Sequence, residues 1–411
     1  MRPPGLLVSR PPPARQPPWR SVLRVGAVGL AIGALLLVAE LLRLGSDPTA
    51  LFHVGARWQL DEQLAARSIR VQTQPGPGYD GQWFLGLAYD PLLLDDLTGT
   101  FDQPRYRAGR PLYPMAGWAL ATGRIPAIPA GLLAVGALAV GLGSMAIARM
   151  LVAYRRSRWW GLGFGLIPGV GVGVTFGTAE PLGLAMAALG LGLTLDSGAA
   201  DPGSRRSRAL QLWAGLAFAG AALTKESYLV FAGAGAFYLA TLPGRAGWSR
   251  LRPAVTLVGP GVATLAAWWV YVLGAVTPVR GHGSPLGALG PPLLGWGRTV
   301  ALLVRGEYQV DALTNPVGYL MLAGSLAAVL AGTFVGLRST ILPARVGLLL
   351  GGYALFLSAT LLGHFMSSMR ALAPIVLGGG LAVATAIGQR LAEDAGSRTE
   401  PVPRDHGSAR L

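Results

Sequence analysis

The sequence predicts an all-α fold, a polytopic bundle of about ten transmembrane helices with a large, partly helical first extracytoplasmic loop. Three observations support this prediction. Of the 411 residues, 52% are hydrophobic and only 13% are charged. Apolar runs of about 20 residues, the length that crosses a bilayer as a helix, recur along most of the chain. A soluble protein with a single core does not require this pattern.

The first element in chain order is a proline-rich, basic tail over residues 1–20. This composition cannot form a packed core, so we expect a disordered cytoplasmic tail. The apolar run over 25–42 is longer than most signal-peptide cores and no A-x-A site follows it, which favours a retained signal anchor. We expect the transmembrane domain over 21–390 and a second disordered cytoplasmic tail over 391–411.

A polar segment over about 44–125 follows and contains many of the acidic residues. It is the largest segment expected outside the membrane. Its apolar piece 111–123 is too short to cross a bilayer and is expected to form an interfacial or re-entrant helix. The remaining spans are predicted over 126–152, 159–177, 179–195, 209–224, 227–242, 254–276, 313–336, 346–362 and 371–388.

Glycine recurs at every fourth position through the span 159–177, the third in chain order, from Gly161 to Gly177. The spacing predicts one smooth helix face that a neighbouring helix can approach closely. A glycine-rich nucleotide loop is disfavoured because no strand precedes the run.

The charge distribution predicts the orientation. The net charge is +15 and Lys225 is the only lysine. Most basic residues fall in the two tails and in alternate loops, and most acidic residues fall on the opposite side. The positive-inside rule explains this excess without nucleic acid and places both termini in the cytoplasm and the long first loop outside the cytoplasmic (inner) membrane.

The absence of cysteine excludes thiolate chemistry and cysteine-ligated zinc. The four histidines are scattered, so we predict no resident metal. An oxygen-ligated divalent cation stays open as a cofactor.

Charged residues from separate segments are expected at the same outer face. Charges at membrane level cost about 2.5–3.5 kcal/mol each and are therefore usually paired or functional. The candidates are Asp80, Asp102, Arg107 and Arg110 in the first loop, Glu180 at the start of the fourth span, Lys225 and Glu226 between the fifth and sixth, and His364 and Arg370 at the last outer turn.

Each candidate also has a structural interpretation. Asp102 would simply pair with Arg105 or Arg107, a weak contact in solvent. Glu180 would interact well with the dipole of its own helix. Lys225 would pair locally with Glu226 or, as we favour, contact an anionic head group. Arg370 lies on the non-cytoplasmic side against the charge rule, which a phosphate contact would explain.

These residue types suit the transfer of a sugar from a lipid phosphate. The acceptor hydroxyl needs a positioned base, a role for Asp80. The leaving phosphate needs cations, a role for Lys225 and Arg370. Tyr79, Gln82 and Trp83 flank Asp80 as possible sugar contacts, although interfacial anchoring is the favoured interpretation of the aromatic residues.

A family resemblance rests on the same residues. The motif Tyr79-Asp80-Gly81-Gln82-Trp83-Phe84 in the first outer loop resembles the GT-C superfamily of membrane glycosyltransferases. Further segments are similar to a bacterial, mannosyltransferase-like family linked to cell-surface glycopolymer formation: Tyr106-Arg107, Arg110-Pro111-Leu112-Tyr113-Pro114, Ala179-Glu180-Pro181-Leu182 and Leu223-Thr224-Lys225-Glu226-Ser227.

The resemblance implies polyprenyl-phosphate sugar donors and gives Asp80 the part of the loop acid that acts as, or near, the catalytic base. The early loop lacks an adjacent acidic pair at the usual place, since Asp61-Glu62 lies upstream and Asp95-Asp96 downstream. The choice of base and any metal requirement therefore stay open.

Three functions follow as hypotheses. The leading one is an inverting glycosyltransferase that moves a sugar from a polyprenyl phosphate to a cell-envelope glycan or lipid acceptor on the extracytoplasmic face. The second is a transporter or flippase for lipid-linked glycans, for which midspan charges and an inverted repeat would be expected. The third is a non-catalytic scaffold of an envelope assembly complex.

Overall fold

The computed structural model describes residues 19–243, 247–277, 290–305, 315–357, 362 and 365–397. The described chain is mostly helical, as the sequence predicts. Its α-helices are, in chain order, α1 Trp19–Arg43, α2 Leu60–Ala66, α3 Gly81–Tyr89, α4 Pro104–Ala108, α5 Leu112–Leu120, α6 Ile128–Ala153, α7 Pro168–Thr175, α8 Glu180–Ala199, α9 Arg205–Thr224, α10 Leu229–Thr241, α11 Trp248–Ala275, α12 Leu294–Val304, α13 Asn315–Arg338, α14 Leu342–Ala354 and α15 Phe365–Ser397.

Five of the described helices are long and apolar enough to cross a membrane. The apolar segments are Arg20–Arg43, Ile125–Ala153 (α6 with the short 3-10 helix before it), Glu180–Ala199, Trp248–Ala275 and Met369–Ile387. The other expected spans are also helical in their described parts, but their helices do not meet these requirements of length and apolar character. Helices α10 and α14 have 13 residues each, and α9 opens with a basic first turn.

The segment between α1 and α6 is partly helical and shares one hydrophobic core with the long helices. It contains α2 to α5, the 3-10 helices Pro48–Phe52, Ala56–Trp58 and Asp96–Thr100, and two short strands, β1 Val54–Gly55 and β2 Thr73–Gln74. The strands are parallel, with Val54 opposite Thr73. Fully buried side chains, including Phe52, Leu60 and Leu85, hold these pieces together. The expected short helix within 111–123 is α5.

The prediction of one continuous helix over 159–177 is wrong. The chain forms the 3-10 helix Arg158–Phe164 and then begins again as α7 at Pro168. Proline has no amide hydrogen and fits the first turn of a new helix better than the middle of an old one. Close packing of the glycines is nevertheless real, since a Cβ on Gly169 would lie 2.4 Å from the carbonyl oxygen of Met369. That approach brings α7 against the beginning of α15.

Helices α8 and α9 are antiparallel neighbours. Glu180 at the start of α8 lies near Lys225, which follows the end of α9. At the opposite end, the Ser197 hydroxyl donates to the backbone carbonyl of Ser207, at 3.2 Å. The end of the pair that holds Glu180 and Lys225 is therefore separated from the end that holds Ser197 and Ser207 by the apolar middle of both helices.

Candidate functional site

The site begins with the placement of Asp80, the residue that immediately precedes α3. A Cβ on the next residue, Gly81, would lie 2.2 Å from the carbonyl oxygen of Phe176, so only glycine allows α3 this close to the chain before α8. The Asp80 side chain does not cap its own helix. Its carboxylate is therefore available to groups from elsewhere in the chain.

Two arginines bind the Asp80 carboxylate. Arg107 contacts Oδ1 through Nη1 at 3.0 Å. Arg370, from the beginning of α15, donates Nη1 to Oδ2 at 2.6 Å. The Asp80 side chain is 27% exposed, so its two ion pairs lie at the edge of the protein interior.

Arg370 also binds Glu180, the first residue of α8. The distance from Nη2 of Arg370 to Oε1 of Glu180 is 2.7 Å, and the Glu180 side chain is 2% exposed. The Thr178 hydroxyl donates to Oε2 of Glu180 at 2.6 Å. Arg370 thus bridges two carboxylates from distant segments, and Glu180 is more than a helix cap.

Lys225 is the most loosely held cation of the site. Its Nζ lies 3.7 Å from Oε1 of Glu180, which is longer than a hydrogen bond. The Tyr228 ring centroid is 6.0 Å away. A Cβ on Gly183 would lie 2.1 Å from Thr224 Oγ1, so glycine there allows the end of α9 to reach the first turn of α8.

The first loop supplies two more ion pairs. Arg107 holds Asp102 with two hydrogen bonds, of 2.9 and 2.8 Å. Arg110 reaches Glu226 with Nη2 to Oε1 at 3.1 Å, and its guanidinium lies over the Tyr106 ring, 4.2 Å from the centroid. Asp102 therefore pairs with Arg107, one of its two expected partners, whereas Arg105 donates to the backbone carbonyl of Val276.

We call these residues the charged cluster: Asp80, Asp102, Arg107, Arg110, Glu180, Lys225, Glu226 and Arg370. Its four carboxylates and four cations balance in charge. A continuous chain of contacts runs from Asp102 through Arg107, Asp80, Arg370 and Glu180 to Lys225. An anionic ligand must therefore displace a carboxylate from an arginine or bind the loosely held Lys225.

The electrostatic environment favours the charged forms of Asp80 and Arg110. Burial acts to raise the pKa of Asp80, but the guanidiniums of Arg107 and Arg370 outweigh it and hold that pKa well below its usual range. Burial likewise opposes the charge of Arg110, yet Glu226 raises the pKa of Arg110. Lys225 differs, because burial lowers its pKa more than Glu180 raises it.

The structure separates the predicted site residues into two groups. The members of the charged cluster converge, and the Tyr79 ring lies beside them, with its centroid 5.4 Å from the Arg370 guanidinium carbon. Gln82 and Trp83 do not fit a sugar-binding role, because both are buried. Gln82 accepts from the Gly55 amide at 3.0 Å and donates to the Pro77 carbonyl at 2.9 Å. His364 lies outside the described residues.

Trp83 instead holds the first loop together. Its ring packs edge-on against Trp58, with centroids 5.8 Å apart, and it contacts Phe101 at 5.1 Å. The Arg107 guanidinium carbon lies 5.8 Å from the Trp83 ring centroid. Trp83 therefore supports an arginine that binds Asp80, and the interfacial-anchor interpretation does not apply to this buried ring.

Sequence reasoning did not single out Thr178 and Tyr228. Thr178 lies two residues before Glu180, close enough to have been noticed as a hydroxyl donor. The buried Tyr228 hydroxyl has no hydrogen-bond partner among the described residues, and no sequence signal distinguishes it from a core tyrosine. In the part of the chain that the structure describes, no three histidine, aspartate or glutamate side chains are grouped to hold a metal ion.

Comparison with known proteins finds no matching family model, no matching curated protein and no matching solved structure. The chemistry of the charged cluster must therefore support any assignment of function.

Proposed function

We propose that the protein is a membrane glycosyltransferase of the GT-C type, which moves a sugar from a polyprenyl phosphate to a cell-envelope glycan or lipid. The observation that carries the proposal is the pairing of Asp80 with the buried Arg370, close to Lys225. The carboxylate that would accept a proton and the cations that would bind a phosphate belong to one network at the ends of apolar helices.

The contacts suggest an order of events. As paired, Asp80 is a weak base, because two guanidiniums stabilise its ionised form. A donor phosphate that binds Lys225 and takes Nη1 of Arg370 would replace the Asp80 carboxylate there. The loss of one guanidinium raises the pKa of Asp80 and makes it a better base. Donor binding would in this way activate the base.

In the transfer step, one bond forms, one bond breaks and one proton moves. The acceptor oxygen attacks the anomeric carbon from the face opposite the phosphate and gives its proton to Asp80. The bond between the anomeric carbon and the phosphate oxygen breaks, and polyprenyl phosphate leaves with its negative charge held by Lys225 and Arg370. Inversion at the anomeric carbon is the expected outcome, and no step requires a metal.

The finer membrane arrangement belongs to the same proposal. We propose about ten spans in the cytoplasmic membrane, both termini in the cytoplasm, and the charged cluster at the extracytoplasmic face. Helices of 13 residues, such as α10, extend only about 20 Å against a hydrocarbon core of about 30 Å. They would cross together with flanking segments, as α10 would with the preceding 3-10 helix Glu226–Tyr228.

A complementation experiment tests the proposal without a prior choice of sugar. The gene is deleted in the native host, and wild type, Asp80→Asn or Asp96→Asn is restored at equal membrane level before the envelope glycans are analysed. Asp96 is the matched control, since it is an exposed aspartate of the same segment and lies outside the charged cluster. We expect wild type and Asp96→Asn to restore a missing sugar and Asp80→Asn to fail. Full restoration by Asp80→Asn would contradict its role as the base and favour a transporter or a scaffold.

A further inference from the structure

An apolar cleft lies on the side of the helix bundle and is separate from the charged cluster. Its volume is about 530 Å³, and its walls come from α6, the 3-10 helix Arg158–Phe164, α13 and α15. Representative lining residues are Leu151, Phe164, Ala331 and Leu381. This volume falls within the range of about 300–1,000 Å³ that is usual for small-molecule sites.

The cleft has real free space beside two glycines. Neither Gly163 nor Gly380, which both line the cleft, has any atom within 4 Å of the position that a Cβ would take. By contrast, a Cβ on the adjacent Gly379 would lie 2.3 Å from the backbone oxygen of Ala328. Gly379 thus brings α15 against α13, whereas Gly163 and Gly380 leave a groove open.

One end of the cleft is cationic. Arg156, three residues beyond the end of α6, lines it together with Trp160, which is 65% exposed. No described acidic side chain lines the cleft, and Arg156 forms no salt bridge with a described residue. A guanidinium with no acidic partner among the described side chains, beside an exposed tryptophan, is the arrangement found where a membrane protein meets the lipid head groups.

We propose that this cleft binds an anionic membrane phospholipid, with an acyl chain in the groove walled by α6, α13 and α15 and the phosphate on Arg156. Two features favour this occupant over a soluble ligand. The lining is almost entirely apolar and offers no set of polar groups to orient a polar molecule. Among the described lining residues only Arg156 is charged, and it follows the end of α6, where a lipid phosphate would lie. The inference requires only a membrane location and does not rest on the proposed glycosyltransferase activity.

Native mass spectrometry of the full-length protein in detergent tests the site. The protein is titrated separately with phosphatidylglycerol and phosphatidylcholine, and bound lipids are counted. We expect wild type to bind phosphatidylglycerol more tightly. Arg156→Gln should reduce phosphatidylglycerol binding about tenfold, the loss of one charge-assisted contact, and reduce phosphatidylcholine binding less, because the choline ammonium offsets the charge of that lipid's phosphate. Arg155→Gln is the matched control, because Arg155 is exposed and does not line the cleft.

Filling the groove gives an independent test. Gly380→Leu should remove the tightest lipid adduct for both lipids, because the new side chain occupies the position of the acyl chain. Gly259→Leu in α11, which also has open space at the Cβ position and lies outside the cleft, should leave the adduct intact. Gly163→Leu repeats the test if Gly380→Leu does not fold. Equal lipid binding by the filled variant and wild type, or equal effects of Arg156→Gln and Arg155→Gln, would overturn the inference.

Discussion

Removing the Arg370 guanidinium should destabilise the protein strongly, because this group neutralises two carboxylates at once. Its side chain is 7% exposed, and its contacts measure 2.6 Å to Asp80 and 2.7 Å to Glu180. In Arg370→Met, the buried Glu180 keeps the Thr178 hydroxyl and a lysine 3.7 Å away. Breaking a buried ion pair from one side typically lowers the free energy of unfolding by about 3–5 kcal/mol, and we expect a loss of that size.

The structure also predicts how this loss divides between the two carboxylates. Glu180 is 2% exposed and Asp80 is 27% exposed, so the unpaired charge at Glu180 is the more costly one. The double variant Arg370→Met/Glu180→Gln removes that charge and should recover about 1–3 kcal/mol relative to Arg370→Met. Arg370→Lys should be intermediate, since an ammonium cannot bridge both carboxylates as a planar guanidinium does.

Unfolding in mixed micelles of mild detergent and SDS measures these differences. Arg67→Met is the control, because its 3.8 Å contact with Asp95 is exposed and should contribute less than about 1 kcal/mol. A loss of about 1 kcal/mol or less for Arg370→Met would refute the bridging role. Additive effects of the Arg370→Met and Glu180→Gln substitutions would also refute the bridging role, since independent sites show no coupling.

Three further predictions concern the surroundings of this bridge. Gly81→Ala should displace α3 and lower transfer activity together with stability, whereas Gly171→Ala, which meets open space, should change neither in the same activity and unfolding assays. Lys225→Gln should raise KM for the donor more than it lowers kcat if Lys225 binds the donor phosphate in the ground state, and an unchanged KM would argue against that contact. Because the pKa of Asp80 is lowered in the folded state, the ionised carboxylate stabilises the fold above the ordinary carboxyl pKa of about 4. This stabilisation is lost as pH falls through the folded-state pKa. Stability measured against pH should therefore fall on acidification in wild type and less in Asp80→Asn; equal slopes would contradict the pairing.

Local patterns in the sequence were enough to locate most helices. Long apolar runs bounded by charges predict α1, α6 and α8 because a helix of that length satisfies its own backbone hydrogen bonds in an apolar environment. The same reasoning assigned Asp80, Lys225 and Arg370 to one side of the bundle, since alternate loops lie on alternate sides. The prediction of one helix over 159–177 failed because the regular spacing of its glycines was interpreted as one helix face and Pro168 was given too little weight.

Only the tertiary structure decided which charges pair. Asp80 and Arg370 are 290 residues apart, and nothing local to either residue indicates that Arg370 divides its guanidinium between Asp80 and Glu180. That choice depends on how closely α3, α8 and α15 approach one another. The sequence by itself determined the helical, apolar character of the chain, because that property follows from composition and order. The side of the membrane on which its charges collect stays a prediction. The pairing required the fold, because ion-pair geometry depends on distances of a few ångströms between segments remote in sequence.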